Sequence, residues 1–138
     1  MKQILENLNI ETKKKNFVEI TNIIKKLVAK SGISDGFLNL SIMHTSCSLM
    51  IQENADYTVL EDIKDFLSRI APENYEYNHN SEGPDDMPSH IKSMLTQTNL
   101  TLSIKDSKLL LGTWQGIFVL EHRNSDKQRS LIFHLIGN

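Results

Sequence analysis

Three histidines stand where they could share one metal ion. His79 and His90 lie in the acidic segment NHNSEGPDDMPSH, and His44 precedes the hydroxyl-rich stretch TSCS at the end of an apolar run. A catalytic zinc site needs three protein ligands and one open position, so His44, His79 and His90 would suffice as an all-imidazole set. The spacing alone is not a strong motif, and ordinary packed or surface histidines remain the alternative.

The acidic residues of the same segment are candidates for assisting such a site. Glu82, Asp85 and Asp86 could orient the histidines, bind the metal directly or act as a general base. The alternative is a solvated loop in which Asp86 caps the next helix. The residue types do not decide between these interpretations.

A helix is predicted to begin at Pro88, because proline suits the first helical position. That start places His90 in the first turn, where the helix dipole disfavours imidazolium and keeps the ring in the neutral form that binds metals. The same helix end attracts anions. Ser89 and Lys92 are therefore candidate contacts for a substrate phosphate.

Other chemistry-bearing residues have simpler explanations. His122 lies at a predicted strand end, where an edge role or a substrate contact is possible, and the pattern around His134 favours a packed strand residue. Cys47 begins an apolar strand, which favours a buried thiol over a nucleophile. No CxxC pair, phosphate loop or dinucleotide glycine pattern is present.

Helices and strands that could position these residues follow from apolar periodicity. Helical spacing predicts one helix over about Thr21–Ser31 and a second that Asp56 caps and Pro72 ends. The segments GFLNLSIM and SLMI predict strands on either side of a turn at His44–Ser46. In the last third, NLTLSI, KLLLG, QGIFVLEH and RSLIFHLI predict a run of antiparallel strands.

The order of these elements predicts the fold class. Helices come early and strands late, without the alternation that a parallel sheet requires, which indicates an α+β fold. A chain of 138 residues suits one domain with one core. We therefore expect a single domain over residues 1–138, built as an antiparallel β-sandwich with about three helices.

Composition excludes several classes of partner. The net charge is −2 and the cluster Lys13–Lys15 is too short to follow a nucleic-acid backbone, so nucleic acid is not expected. No apolar run approaches the roughly 20 residues that cross a bilayer, so no membrane partner is expected. A single cysteine and the absence of an apolar leader predict a cytoplasmic location.

Three motifs occur in order along the chain: HTSCSLMIQENAD at 44–56, EGPDDMPSHIKSML at 82–95 and LGTWQGIFVLEHR at 111–123. Together they resemble the YjbQ family, often named secondary thiamine-phosphate synthase enzymes. The chain departs from the usual HTSAS at Cys47 and from the usual INEN at Gln52. Cys47 is therefore not expected to be a family nucleophile.

The resemblance implies a YjbQ-like α+β sandwich, a homotrimer and a metal bound by His44, His79 and His90. The ion is expected to be divalent, with zinc favoured and magnesium as the alternative for a diphosphate substrate. The implied reaction joins a pyrimidine diphosphate ester to thiazole phosphate and releases pyrophosphate, as a side activity. The implied partner is thus a small phosphorylated substrate.

Roles follow for the surrounding residues. Acid–base or orienting roles are predicted for three carboxylates, Glu53, Asp85 and Asp86. Substrate-binding roles are predicted for six residues: Thr45, Ser46, Ser48, Ser89, Lys92 and Arg123.

Two other functions fit the same residues. A three-ligand metal site suits water activation, so the protein could be a metal-dependent hydrolase of a small phosphate ester or amide. It could also be a non-catalytic ligand-binding trimer, with Trp114 and Ile117–Leu120 forming the subunit contact.

Overall fold

The computed structural model describes all 138 residues and contains two antiparallel sheets and three helices. The elements are β1 (Lys2–Thr12), β2 (Phe17–Glu19), α1 (Thr21–Lys30), β3 (Gly36–Ile42), β4 (Cys47–Glu53), α2 (Tyr57–Ile70), α3 (Asp86–Leu95), β5 (Asn99–Lys105), β6 (Lys108–Leu109), β7 (Gln115–Glu121) and β8 (Lys127–Gly137). The predicted α+β sandwich with three helices is confirmed. None of these helices is long and apolar enough to cross a membrane.

The two sheets divide the strands unevenly. The large sheet has the order β1-β8-β3-β5-β6, and the small sheet has the order β2-β7-β4. The strands β3 and β4 are predicted correctly from the apolar runs around residues 44–46, but they do not pair with each other. The intervening HTS turn instead carries the chain from one sheet to the other.

The main core lies between the inner faces of the two sheets. Alternate residues of β3 and β8, such as Leu38, Leu40 and Phe133, are fully or almost fully buried there. They pack in one cluster with Val119 of β7 and Ile24 of α1. Burying one such side chain contributes about 1.5–3 kcal/mol, so this period-two pattern fixes which strand face points inward.

The strand β7 is buried on both faces. Ile117 and Val119 point into the main core, whereas Phe118 and Leu120 pack against Leu67 of α2 in a second cluster. The hypothesis that Ile117–Leu120 forms a subunit contact is therefore wrong, because these side chains are already covered within the chain.

The helix α2 begins and ends as predicted. The Asp56 carboxylate accepts a hydrogen bond from the Thr58 backbone N–H at 3.0 Å, which caps the first turn. The helix ends at Ile70, two residues before Pro72. Its apolar face covers the outside of the small sheet.

The helix α3 begins two residues earlier than predicted, at Asp86. Pro88 is its third residue, a position that proline tolerates because the first-turn N–H groups lack acceptors within the helix. His90 is consequently the fifth residue and lies beyond the first turn. The expected effect of the helix N-terminus on His90 is thus weaker, and Asp86 takes the place beside the positive end.

Two strands, β1 and the short β2, were not predicted from the sequence. The strand β1 pairs with β8 along its whole length, from Lys2 opposite Gly137 to Thr12 opposite Lys127. Its inward residues near the C-terminal end, Ile10 and Thr12, are buried. The alternation in NLNIET is the signal that could have identified this strand.

Candidate metal centre

Two histidines and one aspartate converge in the segment between α2 and α3 and on α3 itself. The candidate ligand atoms of His79, Asp86 and His90 all lie within 4.8 Å of one another. Asp86 Oδ2 is 2.6 Å from His79 Nε2 and 3.4 Å from His90 Nε2. The Asp86 side chain is 2% exposed, whereas those of His79 and His90 are 48% and 30% exposed.

The orientation of His90 follows from a hydrogen bond on its far side. His90 Nδ1–H donates to the Thr45 backbone carbonyl at 2.8 Å, because a carbonyl oxygen can only accept. In the neutral ring the lone pair is then on Nε2, which faces the Asp86 carboxylate. A cation shared by these two atoms, either a proton or a metal ion, removes the resulting repulsion.

Arg123 holds the aspartate of this cluster in place. Its guanidinium donates to Asp86 Oδ1 at 2.6 Å, to Asp85 Oδ2 at 2.9 Å and to the Glu82 carbonyl at 3.0 Å. Burial raises the pKa of Asp86, but the His79 hydrogen bond and the Arg123 charge outweigh it and leave the pKa lowered. Asp86 is therefore an anion at neutral pH, which is the form that binds a metal.

Asp85 has an orienting position. Its carboxylate accepts from the Asn124 backbone N–H at 2.7 Å as well as from Arg123. Burial raises the pKa of Asp85, and these two donors lower it by more. The Asp85 carboxylate is thus occupied by Arg123 and the Asn124 backbone. An acid–base role for Asp85 stays a prediction.

His44 lies on the HTS turn, next to Thr45, but is not one of the three converging residues. Its Nε2 accepts a hydrogen bond from the Ser130 backbone N–H at 2.8 Å. Burial and the charge of Arg129 lower the pKa of His44, so the ring is neutral. In this structure His44 anchors the turn to β8, and its role as a metal ligand stays a prediction.

The four serine and threonine residues predicted to bind substrate differ in how accessible they are. Ser48 is fully buried and bonds His122 Nε2 at 2.8 Å. Ser89 is buried and donates to the Asp86 carbonyl, so it stabilises the first turn of α3. Ser46 accepts from a buried arginine, and Thr45 is exposed beside His90. Of these four residues, Thr45 is the most exposed.

The structure does not bring Glu53 to the cluster. Glu53 ends β4, six residues after Cys47, and the rise of a strand places it about 20 Å from the HTS turn. Cys47 itself is buried in the main core, and burial raises its pKa to about 12. The thiol is therefore protonated and enclosed, as the comparison with HTSAS suggested.

A buried ion pair beneath the HTS turn was not anticipated. Arg129 donates from Nε to Glu121 Oε1 at 2.7 Å, and Thr12 donates to the same oxygen at 2.6 Å. Arg129 also donates to Ser46 Oγ at 3.1 Å. No local pattern joins these residues, because they lie on three strands of two sheets.

A wide cleft borders the exposed side of His79. It encloses about 610 Å³ and is lined by nine residues, Glu73, Tyr75, Glu76, Tyr77, Asn78, His79, Asn80, Gly83 and Pro84. Ligand sites of small molecules usually enclose about 300–1,000 Å³. The cleft therefore has the size of a site for a small organic molecule.

Sequence comparisons find close relatives over nearly the whole chain. The family model described as UPF0047 protein YjbQ-like matches residues 6–138. A UPF0047 protein from Synechocystis sp. is 43% identical over 99% of this chain and 93% of its own length. The UPF0047 protein YjbQ of Escherichia coli O157:H7 is 40% identical over 96% of each chain.

Structural comparisons agree with this result. A YjbQ/UPF0047 protein from Clostridium acetobutylicum superposes with a TM-score of 0.83 at 36% identity, covering 94% of this chain and 99% of the other. A YbjQ-like protein from Sulfolobus solfataricus superposes with a TM-score of 0.88 at 21% identity, covering 99% and 100%. The second match supports the fold alone. With the family model spanning all but the first five residues, the chain belongs to the YjbQ family.

Proposed function

We propose that this protein is a metal-dependent enzyme that acts on a small phosphorylated substrate. The observation that carries the proposal is the convergence of His79 Nε2 and His90 Nε2 on Asp86 Oδ2, at 2.6 and 3.4 Å. Because His90 Nδ1 bonds the Thr45 carbonyl, His90 Nε2 is the nitrogen that faces the Asp86 carboxylate. A divalent cation shared by His90 Nε2 and Asp86 Oδ2 would satisfy both groups.

The donor set fits zinc. Two imidazoles and one carboxylate form the ligand set of several catalytic zinc sites, and three protein ligands leave one coordination position for water or substrate. The same donors also suit iron(II). Magnesium prefers oxygen ligands and would enter with the phosphate oxygens of a diphosphate substrate rather than through two imidazoles.

The surrounding residues orient the three candidate ligands. Thr45 fixes the tautomer of His90 through its carbonyl, and Arg123 fixes the orientation of Asp86. His79 Nε2 donates to Asp86 Oδ2, and a metal held by this nitrogen would require the ring in the form with Nε2 unprotonated. The exposed side of His79 faces the cleft, so a substrate reaches the site from there.

The first reaction to test is the coupling of a pyrimidine diphosphate ester to thiazole phosphate. A divalent ion at this site would act as a Lewis acid and stabilise the charge on the departing pyrophosphate. Tyr75 and Tyr77, whose ring centroids are 4.9 Å apart, line the cleft and offer apolar surface to a heterocyclic ring. Coupling is proposed as a side activity of the site.

Metal titration of the variant Asp86→Asn tests the site directly. We expect one zinc per wild-type chain, and we expect the variant to lose more than the roughly 10–100-fold in affinity that removal of an outer hydrogen bond costs. Asp65→Asn makes the same chemical change on the exposed face of α2 and serves as the control. Zinc bound by the folded Asp86→Asn variant with wild-type affinity would exclude the assignment.

His44→Ala, measured beside Asp86→Asn, separates the two possible third ligands. The geometry predicts that Asp86→Asn loses zinc and that His44→Ala retains it in large part, because His44 bonds Ser130 instead. Loss of zinc in His44→Ala with retention in Asp86→Asn would restore the all-imidazole set, and His90→Ala should lose zinc on either assignment. Elemental analysis of each purified variant supplies the measurement.

The exposure of His79 favours a hydrolase as the second candidate function. Half of this side chain is open to solvent, so water reaches the ligand atoms without any opening of the fold. Phosphate release from small phosphate esters, measured beside coupling, distinguishes the two reactions. If chelation leaves the fold and every tested turnover unchanged, the non-catalytic ligand-binding trimer is supported instead.

We also propose a homotrimer, in which the outer face of the large sheet meets another copy. Leu5 and Phe37 on this face are 61% and 48% exposed, and Ile132 and Ile136 are half-buried beside them. His134 on the same face has a buried Nε2 without a hydrogen-bond partner. An apolar sheet face of this kind is typical of a protein interface.

A further inference from the structure

A second, smaller cavity is lined by residues of β2, α2, α3 and β7. It encloses about 40 Å³, and its polar lining consists of Lys15, Lys64, Ser68, Lys92, Glu121 and His122. Three of these six side chains are ammonium groups. The cavity is therefore a basic site in a protein whose net charge is −2.

Lys92 is a buried cation without a partner. The residue is only 7% exposed, yet its ammonium group forms no hydrogen bond and no salt bridge within the chain. An unpaired buried charge is costly, and proteins normally pair it or give it a ligand. The position of Lys92 in the wall of the cavity indicates a ligand of opposite charge.

The other charged groups do not neutralise Lys92. The carboxylate of Glu121 accepts from Thr12 and from Arg129, so its charge is already balanced. Lys64 forms no salt bridge and donates only to the Asn16 amide oxygen, at 3.2 Å. Two cations, Lys64 and Lys92, thus face the cavity without a carboxylate partner.

His122 adds a polar ring to the same wall. Its Nε2 is 2.8 Å from Ser48 Oγ, so this nitrogen is engaged within the chain. Burial and the charge of Lys92 lower the pKa of His122 to about 3, so the ring is neutral and adds no negative charge that would compete with an anion. Nδ1 forms no hydrogen bond within the chain.

The volume limits the ligand to one small anionic group. One water molecule needs about 10–15 Å³ of cavity volume, so the cavity has room for about three waters. That is the size of a single phosphoryl group. A larger molecule would have to extend out of the opening, where Lys15 pairs with Glu73, a residue of the wide cleft beside His79.

We propose that this cavity binds the phosphoryl group of a small phosphorylated molecule, with Lys92 and Lys64 as its charge partners and the neutral His122 ring in its wall. The inference rests on the proposed function in that it gives the phosphorylated substrate a binding site. It does not depend on the metal ligands. Phosphate binding and zinc binding therefore report on different residues and can fail separately.

Titration with inorganic phosphate and with phenyl phosphate tests the proposal on zinc-loaded and on chelator-treated protein. Lys92→Met should weaken binding of both ligands about tenfold or more, since a hydrogen bond to a charged group is worth at least that factor. Lys64→Met should weaken it by a smaller factor. Lys26→Met, an exposed change on α1, is the matched control and should leave binding unchanged.

A spectroscopic measurement keeps the test independent of how well the Lys92→Met variant folds. In wild-type protein labelled with 15N-histidine, addition of phosphate should shift the His122 ring signals and leave those of His134 in place. Equal zinc content of the wild type and the folded Lys92→Met variant shows that the metal centre is unaffected. Both results together support the cavity as the phosphate site.

Several outcomes overturn the proposal. One is phosphate binding that persists in folded Lys92→Met protein, and another is an unchanged His122 signal at saturating phosphate. Binding that disappears on chelation would place the anion on the metal instead. Binding of inorganic phosphate without any binding of phenyl phosphate would exclude a substrate phosphoryl group as the ligand.

Discussion

Removal of Arg129 should destabilise the protein strongly. Its guanidinium lies against the Glu121 carboxylate in the interior, where the two side chains are 6% and 0% exposed. The variant Arg129→Met keeps the apolar stem but leaves Glu121 as a buried anion without its cation. Breaking such a pair from one side costs about 3–5 kcal/mol.

The lower end of that range applies here. Glu121 keeps two donors in the variant, the Thr12 hydroxyl and the Arg123 backbone N–H. We therefore expect the free energy of unfolding to fall by about 3 kcal/mol, which corresponds to a decrease in Tm of about 10 °C for a chain of this length. Thermal and urea unfolding followed by circular dichroism provide the measurement.

The pH dependence has a defined sign. Burial raises the pKa of Glu121, but the hydrogen bonds from Arg129 and Thr12 outweigh it and lower the pKa below 4.5. Glu121 thus stabilises the wild type above about pH 4.5, and that contribution is lost as the pH falls through the folded-state pKa. Without Arg129 the pKa of Glu121 rises, so acid protonates Glu121 and removes the unpaired buried charge from the variant. The difference in the free energy of unfolding between the wild type and the variant therefore becomes smaller at low pH.

Two further variants make this prediction refutable. The double variant Glu121→Gln with Arg129→Met removes both charges and should recover more than half of the loss. Arg69→Met, on the exposed face of α2, is the control for loss of an arginine and should leave the Tm unchanged. A loss below about 1 kcal/mol for Arg129→Met, or a stability difference that widens in acid, would refute the assigned role of the pair.

Three other predictions follow from the geometry. Arg123→Met should reduce zinc affinity about 10–100-fold, because Asp86 loses the donor that orients it, and wild-type affinity in a titration would contradict this role. Gly36→Ala should destabilise the large sheet, because an added Cβ would lie 2.1 Å from the Ile136 carbonyl oxygen; an unchanged urea midpoint would show that the strands adjust. Phe37→Lys should reduce the mass measured by light scattering from three times the 15.8 kDa of one chain toward a single chain, and a trimer that persists would place the interface elsewhere.

The sequence predicts most of the helices and strands, because their signals are local. The apolar spacing of α1 and α2 and the Asp56 cap depend on residues within a few positions of one another. The three ordered motifs also identify the family. The predicted start of α3 was two residues too late, because a proline fits any position of a first turn. Pro88 alone therefore cannot mark the boundary.

Which residues form the site was harder to predict from the sequence. His79 and His90 lie together in the structure, where Asp86 rather than His44 is the third member of the group. The reason is that the hydrogen bond to Ser130 directs His44 toward β8, and Ser130 is 86 residues away along the chain. Which nitrogen of a histidine faces a neighbour depends on such distant partners.

The sequence by itself therefore determined which residue types are available for metal and phosphate chemistry and which segments carry them. Only the tertiary structure decided which of them meet. It separated Glu53 from the cluster by the length of a strand, buried Ser48 and Ser89, and enclosed Lys92 without a counterion. These arrangements arise from packing two sheets and a helix against one another, which brings together atoms that no local pattern relates.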